Sequence, residues 1–130
     1  MGVIDIFEPH PSLECPWCGD LVEHWQGNGG PRALFVWRQG EKHPVRQAVD
    51  EPIASERFSE FTLSDEFNLI GRCPSEHVVR GIGRCHHGVW DETDTSEAKR
   101  AAADDAERRR VRALRESWVK PSGDKRTPNI

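Results

Sequence analysis

Cys15-Pro16-Trp17-Cys18-Gly19 is the stretch on which the reading of this 130-residue chain turns. Two thiols separated by two residues can grip one metal ion from a single tight turn. Such a turn also aims backbone N–H groups at the sulfurs, which spreads thiolate charge. Pro16 fixes φ inside the turn, and Gly19 admits the positive φ with which it closes. The composition explains why a cross-link is needed. Hydrophobic residues are 35% of the chain and charged residues 31%, against a usual apolar share of about 45–50%. So lean a chain implies a small core, and a structural metal is a common remedy.

A closed zinc site takes four ligands. The other cysteines are Cys73 and Cys85. Cys73-Pro74-Ser75-Glu76-His77 reads as a second turn, one residue longer and with His in place of Cys. Cys85 is followed by His86 and His87. Ile70-Gly71-Arg72-Cys73 recurs as Ile82-Gly83-Arg84-Cys85, as though two strand ends delivered a cysteine in the same way. The repeat favours Cys15, Cys18, Cys73 and Cys85 as the ligand set, with His77, His86 or His87 as the alternative fourth ligand. The choice is geometric. A straight strand after His77 would carry Cys85 roughly 25 Å away at ~3.3 Å per residue. The all-cysteine set therefore needs a bend at Gly81 and Gly83. The expected cofactor is structural Zn2+, with iron as the other ion that four thiolates suit. Disulfides are disfavoured without an export signal.

The Cys-Pro-x-Cys-Gly pattern at Cys15–Gly19 resembles the first knuckle of zinc-ribbon proteins. The resemblance covers five residues. It implies a zinc-ribbon-like metal end on a small antiparallel body. A thioredoxin-like redox role for Cys15 would instead need a helix directly after the motif, where Gly19 and Gly27-Asn28-Gly29-Gly30 stand.

Outward from the motif, the patterning predicts an α+β fold. Strands are expected over 3–7, 21–26, 33–39, 58–63, 66–72 and 76–84. The turn signal Gly27–Pro31 joins the second and third of these as a β-hairpin. The body is expected to span 1–92 and a long charged helix 93–119, opened by Asp94 with Glu97 three residues on. A flexible tail is expected over 120–130. Trp17, Trp25, Trp37 and Trp90 read mainly as core, with Trp17 the one suited to an interface.

Charge is uneven. Residues 1–96 hold eight Lys/Arg against sixteen Asp/Glu, and residues 97–130 hold ten against six. An acidic body suits no nucleic acid, so any such role falls to Arg108, Arg109, Arg110 and Arg112. Val111, Leu114 and Trp118 form a short apolar stripe on the same helix. No apolar run approaches the roughly 20 residues of a membrane span, and the start lacks a basic, apolar leader. A cytoplasmic or virion-associated chain is expected. No spacing marks an acid/base pair or a nucleophile. The sequence thus points to a non-enzymatic assembly module that meets a protein partner or itself through the helix, such as a phage structural or host-binding protein. A nucleic-acid-associated regulator is the alternative, and a redox protein the third.

Overall fold

A computed structural model describes residues 4–124. In chain order the strands are β1 (Asp5–Glu8), β2 (Leu13–Glu14), β3 (Leu21–Val22), β4 (His24–Gly27), β5 (Phe35–Arg38), β6 (Arg46–Gln47), β7 (Glu66–Arg72), β8 (Val78–His86) and β9 (Val89–Asp94). A 3-10 helix spans Ser55–Glu60, and the α-helix α1 spans Ser96–Asp124. The fold is α+β, as expected. Seven strands form one curled sheet in the order β6-β5-β1-β4-β7-β8-β9, and β2 with β3 forms a separate two-stranded ladder. The β1–β5 pair is parallel; the other pairs are antiparallel.

The hairpin expected around Gly27–Pro31 is not formed. β1 lies between β4 and β5, with Phe7 opposite Trp25 on one side and Trp37 on the other. The reason sits in Asp5, which is fully buried. Its carboxylate accepts hydrogen bonds from the backbone N–H groups of Arg32 (3.2 Å), Ala33 (2.9 Å) and Phe35 (3.1 Å) and from Trp37 Nε1 (3.2 Å). A buried carboxylate without such donors is costly. Here the loop wraps it, with Arg32 (φ 63°) and Leu34 (φ 59°) in the left-handed region. Gly30 lets the loop come close, since a Cβ there would lie 2.0 Å from Asp5 Oδ2. The N–H groups that cradle the anion thus follow the glycine-rich run, which leads the chain into the cradle rather than forming a tight turn.

The strand expected over 58–63 is replaced by the 3-10 helix. Phe58 and Phe61 both pack on Phe35, at ring-centroid distances of 5.5 and 4.7 Å. Residues three apart share a face in a 3-10 turn and lie on opposite faces of a strand. The strand expected at 66–72 is β7 itself. Its alternate residues Phe67 and Leu69 are buried, as a half-buried strand requires. The core centres on Phe7, Phe67 and Trp90. Their rings lie 5.1 Å (Phe7–Phe67) and 5.6 Å (each with Trp90) apart, and Trp90 meets both edge-on, the arrangement aromatic quadrupoles favour.

At the end of β9, Asp94 Oδ1 accepts the N–H of Ser96 at 2.9 Å, and Arg84 reaches Asp94 Oδ2 at 3.0 Å. The Ser96 hydrogen bonds, aided by Arg84, hold the Asp94 carboxyl down at about 2. Asp94 thus braces the first turn from the end of β9, while the helix opens at Ser96 rather than at 93 as expected, with Thr95 O accepting the first helical bond from Lys99 N–H (3.0 Å). The helix runs to Asp124, past the 119 expected. Val3, where the first strand was expected to begin, and residues 125–130 of the expected tail lie outside the described residues. The chain divides into two compact units between Lys99 and Arg100, inside α1. Among the described residues, no helix is long and apolar enough to cross a membrane.

Candidate metal centre

Two hairpin tips supply the ligands. The ladder of β2 and β3 pairs Glu14 with Leu21, and Cys15–Asp20 is the loop between them. It is closed by Cys15 N–H to Asp20 O (2.7 Å) and by Gly19 N–H to Cys15 O (2.8 Å). Gly19 has φ 81°, as the sequence requires of the residue ending the turn. The second tip joins β7 to β8, whose register pairs Arg72 with Val78. Its loop, Cys73–His77, is closed by Cys73 N–H to His77 O (3.2 Å) and Glu76 N–H to Cys73 O (2.8 Å). Glu76 takes φ 66°, the role Gly19 plays in the first loop.

Together the tips bring Cys15, Cys18, Cys73 and His77 to one point, with all ligand atoms within 4.8 Å of one another. Cys18 Sγ lies 3.6 Å from Cys73 Sγ. His77 Nδ1 lies 3.6 Å from Cys15 Sγ and 3.3 Å from Cys73 Sγ. A tetrahedron with metal–sulfur bonds of ~2.3 Å and metal–nitrogen bonds of ~2.0 Å has edges of roughly 3.8 Å (S–S) and 3.5 Å (S–N). The three distances lie close to these edges, and the cluster could hold a metal ion. Backbone N–H groups support the sulfurs as such a turn implies: Trp17 donates to Cys15 Sγ and His77 to Cys73 Sγ, both at 3.4 Å. Cys15 and Cys73 are buried, Cys18 is exposed, and His77 is half-buried.

The thiols are not alike. Burial pushes Cys73 up, but hydrogen bonds from the His77 backbone, Cys18 and the His77 ring outweigh it and hold the thiol at about 7. The Asp20 backbone pulls Cys18 down, but burial and the thiols of Cys73 and Cys15 outweigh that and raise it to about 11. Three sulfurs so close cannot all carry charge cheaply, and a cation in their midst removes that conflict.

Cys85, favoured on sequence grounds, does not join the cluster. Gly81 and Gly83 produce no bend; both stay within the nine-residue strand β8. Gly83 instead makes room for the ring opposite it, since a Cβ there would meet Phe67 Cζ at 2.3 Å. The strand irregularity falls later, between Arg84 and Cys85. Cys85 therefore ends up at the far end of β8, about 26 Å along the strand from His77 at ~3.3 Å per residue. His86 and His87 lie at that same far end. Burial, with Asp65 and Asp91 nearby, pushes the Cys85 thiol up to about 11, the opposite of what a ligand needs. The Ile-Gly-Arg-Cys repeat is real in the letters but not in the role: its first copy ends at a hairpin tip and its second near the end of a strand.

Trp17 is half-buried and stacks on His77, with centroids 5.9 Å apart and planes 20° apart. The stack restrains the plane of the imidazole. Trp25, Trp37 and Trp90 are buried, and their indole N–H groups donate to Val22 O, Asp5 and Glu92 O respectively. The Cys15 turn has strands on both sides, so the helix that a thioredoxin-like thiol uses does not follow it.

On α1, Val111, Leu114 and Trp118 are 41, 65 and 82% exposed. Arg108 and Arg109 each pair with Asp105, at 3.7 and 3.0 Å, and Arg110 pairs with Glu107. Arg112 and Arg115 take part in none of the ion pairs found among the described residues. Two features escaped the sequence reading. One is the Asp5 cradle, whose only signal was a lone acid in an apolar strand. The other is the exposed pair of His86 Nδ1 and Asp91 Oδ1 at 2.6 Å, across the β8–β9 turn.

No protein-family model matches the chain, and neither a curated protein nor a solved structure matches it.

Proposed function

We propose that this chain is a zinc-stabilised, non-enzymatic interaction module whose partner docks on α1. The observation that carries the reading is the uncovered stripe of Val111, Leu114 and Trp118, the last of them 82% exposed. Large apolar side chains in a row cost solubility unless something covers them, and Trp is the residue type most enriched at binding hot spots.

Zinc is the ion of choice because three thiolates and one imidazole are a usual structural zinc set at tetrahedral spacing. Four protein ligands leave no open position for a substrate, so the ion acts as a cross-link. The two ligand-bearing hairpin tips support the zinc-ribbon resemblance. The nucleic-acid reading is weaker, since Arg108, Arg109 and Arg110 already face carboxylates on their own helix.

Truncation tests the reading. Ala98 belongs to the body's core cluster and the unit that holds it runs to Lys99, so the cut is placed a helical turn further on, after Ala103. Residues 1–103 should bind the metal and melt close to the full chain. A body that unfolds on this cut would make the rest of the helix part of its core and end the reading.

A further inference from the structure

We propose that the partner of α1 is a second copy of this chain, its α1 packed antiparallel about a two-fold axis through Val111. The inference rests on the interaction reading above and names its partner. On a helix turning about 100° per residue, Glu107, Leu114, Arg115 and Trp118 all lie within roughly 60° of Val111. Asp104 and Arg108 share that face by the same count. From Ala103 to Trp118, every residue but Asp105 is exposed.

The order of charge along this face selects both the occupant and the direction. In an antiparallel pair centred on Val111, residues equally distant from it face one another. Glu107 of each copy then faces Arg115 of the other, and both pairs form at once. The Arg108 stem meets Leu114, and Trp118 meets Asp104. No like charges oppose one another. A parallel pair would set Arg115 against Arg115, Arg108 against Arg108 and Glu107 against Glu107, which is repulsive throughout. The proposal also gives Arg115 an ion-pair partner. Val111 and Leu114 fill the centre of the seam, and the small side chain of Ala103 borders it.

Sedimentation equilibrium on the intact, metal-loaded chain tests this. The mass should rise with concentration from 14.8 kDa toward twice that value. Glu107→Arg and Arg115→Glu should each weaken the dimer more than about tenfold, because each sets like charges opposite one another twice. The double exchange Glu107→Arg/Arg115→Glu should recover it to within about threefold. That recovery protects the test against a helix that merely loses stability in the single variants. Trp118→Ala should also weaken the dimer, with metal content unchanged. A one-chain mass at every concentration up to about 1 mM overturns the self-pairing. A dimer that ignores both exchanges overturns the face. A one-chain mass with salt-sensitive binding to duplex DNA overturns it in favour of nucleic acid. The first two outcomes leave the interaction reading standing, the DNA outcome favours its nucleic-acid rival, and unfolding of the truncated body separately ends it.

Discussion

His77 owes its place in the cluster to the residue before it. Glu76 takes a positive φ, which turns the chain back so that the imidazole faces Cys73 and Cys15. His77→Ala should therefore weaken metal binding by more than the ~10–100-fold that loss of an outer hydrogen-bond partner costs. Cys85→Ser should leave metal content and fold intact, and metal loss in Cys85→Ser with retention in His77→Ala would reverse the assignment. At the opposite end of β8, the Asp91 hydrogen bond raises His86 above its ordinary 6.5. The sign follows from a raised folded value: the contribution is fully present below the unfolded value near 6.5 and disappears as pH climbs through the raised one. In an NMR titration His86 should titrate above the ordinary range, and Asp91→Asn should bring it back down. An unchanged midpoint in that variant would remove the pair as the cause.

At the scale of elements, the insertion of β1 between β4 and β5 depends on one carboxylate. Four N–H groups from the 32–37 segment converge on Asp5, so this segment is ordered by a side chain 27 to 32 residues away in sequence. Asp5→Ala would leave buried donors without an acceptor, at about 1–3 kcal/mol each when water cannot replace the bond. A loss of at least about 3 kcal/mol in urea unfolding is expected, and Gly30→Ala should do similar damage by blocking the approach. A loss below about 1 kcal/mol for Asp5→Ala would mean that water takes over the cradle. The β8–β9 hairpin has its own polar lock. Arg84 reaches Glu66, Glu92 and Asp94 at 3.0–3.1 Å on the half-exposed face, across strands that the register sets side by side.

For the whole molecule, the candidate metal cluster brings together elements that the main sheet does not join. The two-stranded ladder β2–β3 belongs to a different sheet from β7 and β8, and the cluster ties its tip to theirs. Purified, reduced protein should carry about one ion per chain by elemental analysis, with zinc the expected metal. Chelation should loosen the β2–β3 end first and lower the melting temperature, because binding energy at such a site is folding energy. A chelated protein with unchanged melting would reduce the cluster to a group of neighbouring thiols.

Much of this was written locally in the chain. Pro16 and Gly19 dictate a tight turn, so Cys15 and Cys18 were legible as a pair of thiols that meet in one cluster. Alternation over 66–72 read as β7, and a helix was legible after Asp94, because period and end signals are properties of a few consecutive residues; its first residue, Ser96, was not, because β9 pairing holds Asp94 in the sheet. Cys73 was recognisable as a ligand, but its partner was not. Whether Gly81 and Gly83 bend the chain or admit the Phe67 ring depends on a residue on the neighbouring strand, and that decides between Cys85 and His77. The same is true of Phe58 and Phe61, whose helical turn is set by Phe35, and of Gly27–Pro31, whose course is set by Asp5. Local chemistry settled which residues could turn, cap or ligate. Tertiary structure settled which of them meet, because long-range packing and buried hydrogen bonds outweigh the small conformational preferences of single residues.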